Sequence, residues 1–289
     1  MIIQYMLISI SFDHFIKLWD LRKDKSIKTI EIPAEQIATC ISTLPADPNM
    51  FATASSDKSV RLWSLKDEEV LDFFKSADII TSICFSPDGK QLIVGLVKGQ
   101  IEIWNLEGNK FRYSSKMECR NRSGKFKKGD VVTEIKFLNE KEMLITTRDE
   151  RIRLLEKDGH LYSQRFKYVG HKNVMAPIRA AAKQDGAYII CGSENGKVYI
   201  WNRRSDFVPL VNPGLFSKYD PTHNRSYETF IPFTAKDKVL SAFFVPDTII
   251  NKLNSHLLKY FEQPMTIKCM IIAIGQMGNI SAFYTEILK

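Results

Sequence analysis

The chain has 289 residues, 44% hydrophobic and 26% charged, with a formal net charge of +8. That length suits one large domain with a sizeable core, and no run approaches the ~18 apolar residues of a membrane-spanning helix. The opening MIIQYMLISI alternates like a strand and lacks a basic n-region, so a soluble intracellular chain without a secretory signal is expected. The five cysteines have neither paired nor zinc-site spacing, so reduced thiols, no metal and no cofactor are expected.

In chain order, MLISI, FIKLWDL and SIKTIEI between Met6 and Ile32 read as three strands. The stretch ending at Trp19 recurs as VRLW at Trp63, IEIW at Trp104, IRLL at Leu155, VYIW at Trp201 and ISAF at Phe283. The spacings are 44, 41, 51, 46 and 82 residues, and all four tryptophans of the chain occupy this position. A period of about 40–45 residues ending in a Trp-Asp-like dipeptide is the signature of a β-propeller blade, a four-stranded sheet.

The segments before each copy repeat as well. ITSICFSPDGKQLIVG (Ile80 to Gly95) holds two apolar runs joined by Pro87-Asp88-Gly89-Lys90, a hairpin-turn signal. VVTEIKFLNEKEMLITT (Val131 to Thr147) and IRAAAKQDGAYIICGS (Ile178 to Ser193) follow the same plan. Six residues before the repeat position stand Asp13, Asp57, Asp149 and Asn195, suited to the turn between strands b and c because such side chains bond nearby backbone amides. Lys98 and Met277 occupy that place in the third and sixth copies and depart from the pattern. The expected fold class is all-β, one propeller domain with six visible blades at about 1–32, 33–76, 77–116, 117–168, 169–235 and 236–289, the first and last incomplete.

Two insertions interrupt the repeat. Residues 203–236 form a long, polar, proline-interrupted connection, with SYETFIPFT (Ser226 to Thr234) as its returning strand. Within 247–264, Ile249 or Ile250, Leu253, Leu257 and Phe261 recur at about four-residue steps between a cap at Asp247 or Thr248 and a stop at Pro264. This predicts an amphipathic helix whose apolar stripe packs on the propeller rather than on a membrane. His223 and His256 have no partners at metal-ligand spacing.

The whole chain resembles WD-repeat propellers, most specifically at Gly170-His171 followed by GSENGKVYIWN (Gly192 to Asn202). The resemblance implies a buried hydrogen-bonded set of His171, Ser193, the turn residue Asn195 and Trp201, with a structural role for His171. NRSGKFKKGDVVTEIKF (Asn121 to Phe137), TTRDERIRLL (Thr146 to Leu155), KYVGHKN (Lys167 to Asn173) and KVYIWN (Lys197 to Asn202) are similar to the WD repeat-containing protein 44 subfamily, a rabphilin-like group of Rab-GTPase effectors. The Rab-binding segment of that group lies upstream of its propeller and aligns with nothing in this chain, so Rab binding is not carried over. The strands counted are fewer than a seven-bladed ring of four-stranded blades requires. An N-terminally truncated form of a longer protein is therefore expected, with a compact six-bladed ring as the alternative.

No phosphate-cradling glycine loop, GxSxG elbow or HExxH motif is present, so a non-enzymatic binding role is expected. The strongest charge cluster is KMECRNRSGKFKKGD (Lys116 to Asp130), with Arg120, Arg122, Lys125, Lys127 and Lys128 among its cations. WD-repeat topology places connections from strand d to the next strand a on the same face as the b-to-c turns. Arg148 and Arg151 in the turn around Asp149, and Arg179 at the following innermost strand, would join the cluster there. Such a surface suits an acidic or phosphorylated protein segment, or a phosphoinositide headgroup, held by arginine forks and lysine point charges. An RNA-binding propeller is the alternative that the basic balance permits, but Phe126 is the cluster's only aromatic, where stacking on RNA calls for several. The expected role is a protein-interaction scaffold in membrane traffic, cytoplasmic or peripheral on endosomal or Golgi membranes.

Overall fold

The structure, a computed structural model, describes residues 6–23, 25–33, 36–120, 129–159, 161–203, 223–224, 227–233, 237–257 and 265–288. The chain divides into two compact units, Met1–Glu140 and Lys141–Lys289.

In the first unit, β1 (Met6–Ile10), β2 (Phe15–Asp20) and β3 (Ser26–Glu31) form one antiparallel sheet in chain order. A second sheet runs β4 (Ala38–Thr43), β5 (Met50–Ser55), β6 (Ser59–Ser64), β7 (Glu69–Lys75). A third runs β8 (Ile80–Phe85), β9 (Gln91–Leu96), β10 (Gln100–Glu107), β11 (Lys110–Glu118), and β12 (Val132–Phe137) packs beside β8. Every residue of β5 and β9 is buried, which is why MFATAS and, after Gln91, LIVGL read as runs of small and apolar residues rather than alternating ones. Ile16, Phe51 and Trp63 pack between the first two sheets, and Leu62, Leu92 and Val94 between the second and third.

In the second unit, β13 (Glu142–Thr147), β14 (Arg151–Asp158) and β15 (Leu161–Val169) pair antiparallel. Next come β16 (Ala180–Ala182), β17 (Tyr188–Cys191), β18 (Val198–Asn202), β19 (His223–Asn224) and β20 (Glu228–Phe230). The strands β16, β17, β18 and β20 form a sheet in that order, while β19 adds in parallel to the outer edge of β15. The last sheet is β21 (Val239–Phe244), β22 (Met265–Gly275) and β23 (Ile280–Leu288), with α1 (Asp247–Leu257) between its first two strands. Val198, Val239 and Ala273 pack between these last two sheets.

The repeat position falls on strand c throughout: Trp19 on β2, Trp63 on β6, Trp104 on β10, Leu155 on β14, Trp201 on β18 and Phe283 on β23. The c–d ladder breaks register at that residue in four sheets, at Trp19, Trp63, Trp104 and Leu155. A bulge adds a residue to one strand and steepens its twist, so one device curves the outer edge of these blades alike. The expected returning strand at 226–234 is present as β20, with residues 225–226 and 234–236 outside the described residues.

The expected helix is α1, and its stripe only partly packs. Ile250 is buried with Val245 and Ile267, whereas Ile249 and Leu253 are exposed; Phe261 lies outside the described residues. A polar contact completes the anchor: Asn254 Nδ2 donates to Ile267 O and Asn254 Oδ1 accepts from Ile267 N, both at 2.9 Å.

Neighbouring sheets meet closely at a glycine near the end of strand b. A Cβ added at Gly95 would come within 2.6 Å of Val132 Cγ1, and one at Gly192 within 2.2 Å of the Val239 carbonyl oxygen. At Gly192 the obstacle is backbone, so a side chain forces the two sheets apart. Gly192→Ala should therefore destabilise the second unit by about 1–3 kcal/mol, the usual cost of overpacking. A thermal melt would read this as a lowered Tm, and an unchanged Tm would contradict the close approach.

Candidate interaction surface

The b–c turns define one end of each sheet, and their side chains show why. Asp13 Oδ1 accepts the Phe15 N–H at 3.2 Å, Asp57 Oδ1 the Ser59 N–H at 3.1 Å, and Asn195 Oδ1 the Lys197 N–H at 3.2 Å. Each closes a two-residue side-chain turn that launches strand c. The residue four positions on, two before the repeat position, lies on the same side and meets that side chain. Lys17 Nζ stands 3.5 Å from Asp13, Arg61 Nη2 lies 2.8 Å from Asp57, and the Arg153 guanidinium forks onto Asp149. Exposure of the two side chains falls along this series, from 46% and 34% for Asp13 and Lys17 to 26% and 11% for Asp57 and Arg61, and to zero for Asp149 and Arg153. Burial alone would raise the Asp57 pKa, but Arg61 and Ser59 together hold it below the ordinary carboxylate value.

The two departing copies solve the same problem with other residues. In the third, the charges are exchanged: Lys98 Nζ pairs with Asp78 at 2.7 Å, while Glu102 accepts the Ser76 hydroxyl at 3.0 Å, the Ala77 N–H and the Trp104 indole N–H, both at 3.2 Å. In the sixth, the buried Asp237 carboxylate takes the Met277 N–H at 3.2 Å and the Asn279 side-chain amide at 3.0 Å.

The hydrogen-bonded set implied for the fifth copy takes a different form. His171, Ser193 and Trp201 are buried as expected, but among the described residues neither ring nitrogen of His171 has a hydrogen-bond partner. The ring instead packs edge-on against Trp201, with centroids 5.8 Å apart. Ser193 Oγ accepts the Lys172 N–H at 2.8 Å, Asn195 Nδ2 donates to the Tyr199 hydroxyl at 2.8 Å, and the Trp201 indole donates to Val169 O at 3.4 Å. Trp19 and Trp63 show the reason. Their indoles donate at 2.8 Å to Ser9 and Thr53, ten residues upstream on strand b, where the fifth copy has Cys191, a weak acceptor.

The candidate cations separate between the two units. Arg120 is exposed in the first and pairs with Glu118 at 2.5 Å. Arg122, Lys125, Lys127 and Lys128 lie outside the described residues. Arg148, Arg151 and Arg179 belong to the second unit. Arg148 and Arg151 flank Asp149 and are half-buried, the Arg151 guanidinium donating to the Asp149 carbonyl. Arg179 is exposed immediately before β16, and its N–H bonds Leu240 O at 3.1 Å.

A residue that the sequence reading missed organises the same end of this unit. One carboxylate oxygen of Glu194 accepts three successive backbone N–H groups, from Val174 at 2.9 Å, Met175 at 2.6 Å and Ala176 at 2.7 Å. Burial pushes the Glu194 carboxyl up, yet the three amides outweigh it and hold it below its ordinary value. Asn173 Nδ2 donates to Thr147 O at 3.2 Å, tying this loop to the turn that bears Arg148 and Arg151. Among the described residues no group of three or more His, Cys, Asp or Glu side chains could hold a metal ion.

His171 supplies a pH test of this packing. Its burial drives the pKa from 6.5 down to about 4, opposed by Asp149 and assisted by Arg151. The unfolded chain then binds a proton more readily than the folded one between those values. The stability that His171 contributes is complete above pH 6.5 and is lost as pH falls from there toward about 4. Melting temperatures followed from pH 7.5 to 4.5 should fall less steeply for His171→Phe than for the native chain. Parallel profiles would show that His171 carries none of the acid sensitivity.

Comparison with known proteins agrees with the repeat. The model of the anaphase-promoting complex subunit 4 WD40 domain matches residues 46–140, and that of the WD domain, G-beta repeat, matches 25–64 and 163–202. The chain is 30% identical to WD repeat-containing protein 44 of Xenopus laevis over 72% of its own length and 23% of that protein. It is 26% identical to an uncharacterized WD repeat-containing protein of Schizosaccharomyces pombe over 68% of its length and 34% of that protein. It is also 25% identical to 2-deoxy-glucose resistant protein 2 of Saccharomyces cerevisiae over 69% of its length and 25% of that protein. The chain thus spans about a quarter to a third of the relatives it matches. With its six repeats on equivalent strands and its matched WD domains, the chain is a WD-repeat protein of the β-propeller class.

Proposed function

We propose that the protein is a non-enzymatic interaction scaffold of intracellular membrane traffic, cytoplasmic or peripheral on endosomal or Golgi membranes. Its cationic loop end would hold an acidic or phosphorylated segment of a partner protein, or a phosphoinositide headgroup. The observation that carries this reading is the bond from Asn173 to Thr147, which sets the loop bearing Lys172 against the turn bearing Arg148 and Arg151. Arg179, where that loop runs into β16, adds an exposed guanidinium. Half-buried arginines lose less freedom when a ligand binds, which favours bidentate recognition of carboxylate or phosphate. The likeness to WD repeat-containing protein 44 supports a place in traffic; Rab-GTPase binding is not assigned to this chain.

The test compares the native chain with two charge reversals, Lys172→Glu with Arg179→Glu, and Lys127→Glu with Lys128→Glu. Each is used for pull-down from cytosol and for binding to vesicles containing phosphoinositides. Capture should fall in the reversed proteins and, for the native chain, with rising salt, since exposed charges are screened over about 8–10 Å at physiological ionic strength. Unchanged capture in both reversals would contradict the proposal.

A further inference from the structure

The loop held by Glu194 presents what an ordinary solvated loop does not. Met175 is 72% exposed and Val174 49%, although their backbone is fixed by the three bonds to the Glu194 carboxylate. The flanks are fixed too, with the Lys172 N–H on Ser193 Oγ at 2.8 Å and the Glu194 N–H on Lys172 O at 3.0 Å. A second methionine is offered in the same way. Met277, 76% exposed, sits in the last b–c turn with its N–H on the buried Asp237. The two turns are linked through one backbone path: the Val239 N–H bonds Ser193 O at 3.1 Å, and the Gln276 N–H bonds Lys238 O at 2.9 Å. Both methionines therefore stand along one end of the sheets of the second unit.

Charge completes the pattern. Lys172, Arg179 and Lys238 lie on the same connections, while the carboxylates of Glu194 and Asp237 are turned onto backbone amides. The surface is thus apolar at two rigidly mounted, adaptable side chains and cationic around them. Resting on the reading of this end as an interaction surface, we propose that it docks an extended acidic peptide that seats an apolar residue on Met175 and Val174 and a second near Met277. Methionine adapts to different apolar partners, and a pre-fixed backbone removes the ordering cost that a free loop would impose on binding. The acidic residues of the peptide answer the lysines and Arg179, and they steer it onto the surface.

The probe is a phage-displayed library of random dodecapeptides, panned on the immobilised chain. The enriched peptides should combine Asp or Glu with Leu, Met or Phe. A synthetic, fluorescein-labelled copy of the most enriched peptide, followed by anisotropy, should bind at least about tenfold more weakly to Met175→Ser. Glu194→Ala, which leaves the apolar side chains in place and frees the loop, should weaken it similarly. Phe73→Ser, at an exposed site on β7, should leave binding unchanged. Enrichment of peptides without this composition, or none at all, would overturn the proposal, as would affinity indifferent to Met175 and Glu194. Loss of binding on Lys172→Glu with Arg179→Glu but not on Met175→Ser would refute the apolar docking and leave the cationic reading standing. Loss on neither would refute the apolar docking, and the cytosol and vesicle captures with the charge reversals then decide the cationic reading separately.

Discussion

Each blade of this protein depends on how its chain turns from strand b into strand c. In the first, second and fifth copies a carboxylate or amide at the turn accepts the N–H two residues on and meets the side chain four residues on, while Glu102 and Asp237 supply a buried carboxylate from other positions in the third and sixth. The first contact sets the direction of strand c, and the second fixes its facing. Strand c places the repeat tryptophan, and the tryptophan packs the neighbouring sheet, as where Trp104 stacks on Phe74 with centroids 3.7 Å apart. A local hydrogen bond of modest worth thus sets the register on which burial of whole sheets rests.

The same turns shape the surface. Asp149 and Arg153 are matched inside the turn, and Arg148 and Arg151 stand half-buried on its flanks. Because one carboxylate oxygen of Glu194 accepts three backbone amides, the next loop is held with Met175 outward. In the second unit the carboxylates of Glu194 and Asp237 are bonded to backbone amides, while Lys172 and Arg179 are exposed on the neighbouring connections.

Much of this was legible in the sequence because it is local. The repeat positions, the Asp-Gly turns, the acidic or amide residue six before Trp19, Trp63, Leu155 and Trp201 and the helix starting at Asp247 are all encoded within a few residues of where they act. What escaped depends on residues far apart in sequence. Lys98 read as a departure because Asp78, which receives it, lies twenty residues earlier, and Glu102 reaches Ser76 across a strand connection. The recurring c–d bulge has no residue signature; Ile27, Leu71, Ser114 and Arg165 are skipped in the four ladders and share no chemistry. The family pattern suggested a polar set around His171, but Cys191 on strand b redirects the Trp201 indole to backbone and leaves the imidazole packed as an apolar ring. The ladder between β15 and β19 could not be read from two residues inside a long polar insertion.

The decisive measurement is the coupling energy between turn carboxylate and strand-c cation, obtained by double-mutant cycles at Asp13–Lys17, Asp57–Arg61 and Asp149–Arg153. If the turn pair sets the blade, coupling should rise with burial through that series. Breaking the buried pair by Arg153→Met alone should cost about 3–5 kcal/mol, because it strands the Asp149 charge. Equal or negligible coupling at all three would contradict the claim and leave the turn residues as passive occupants of a geometry set elsewhere.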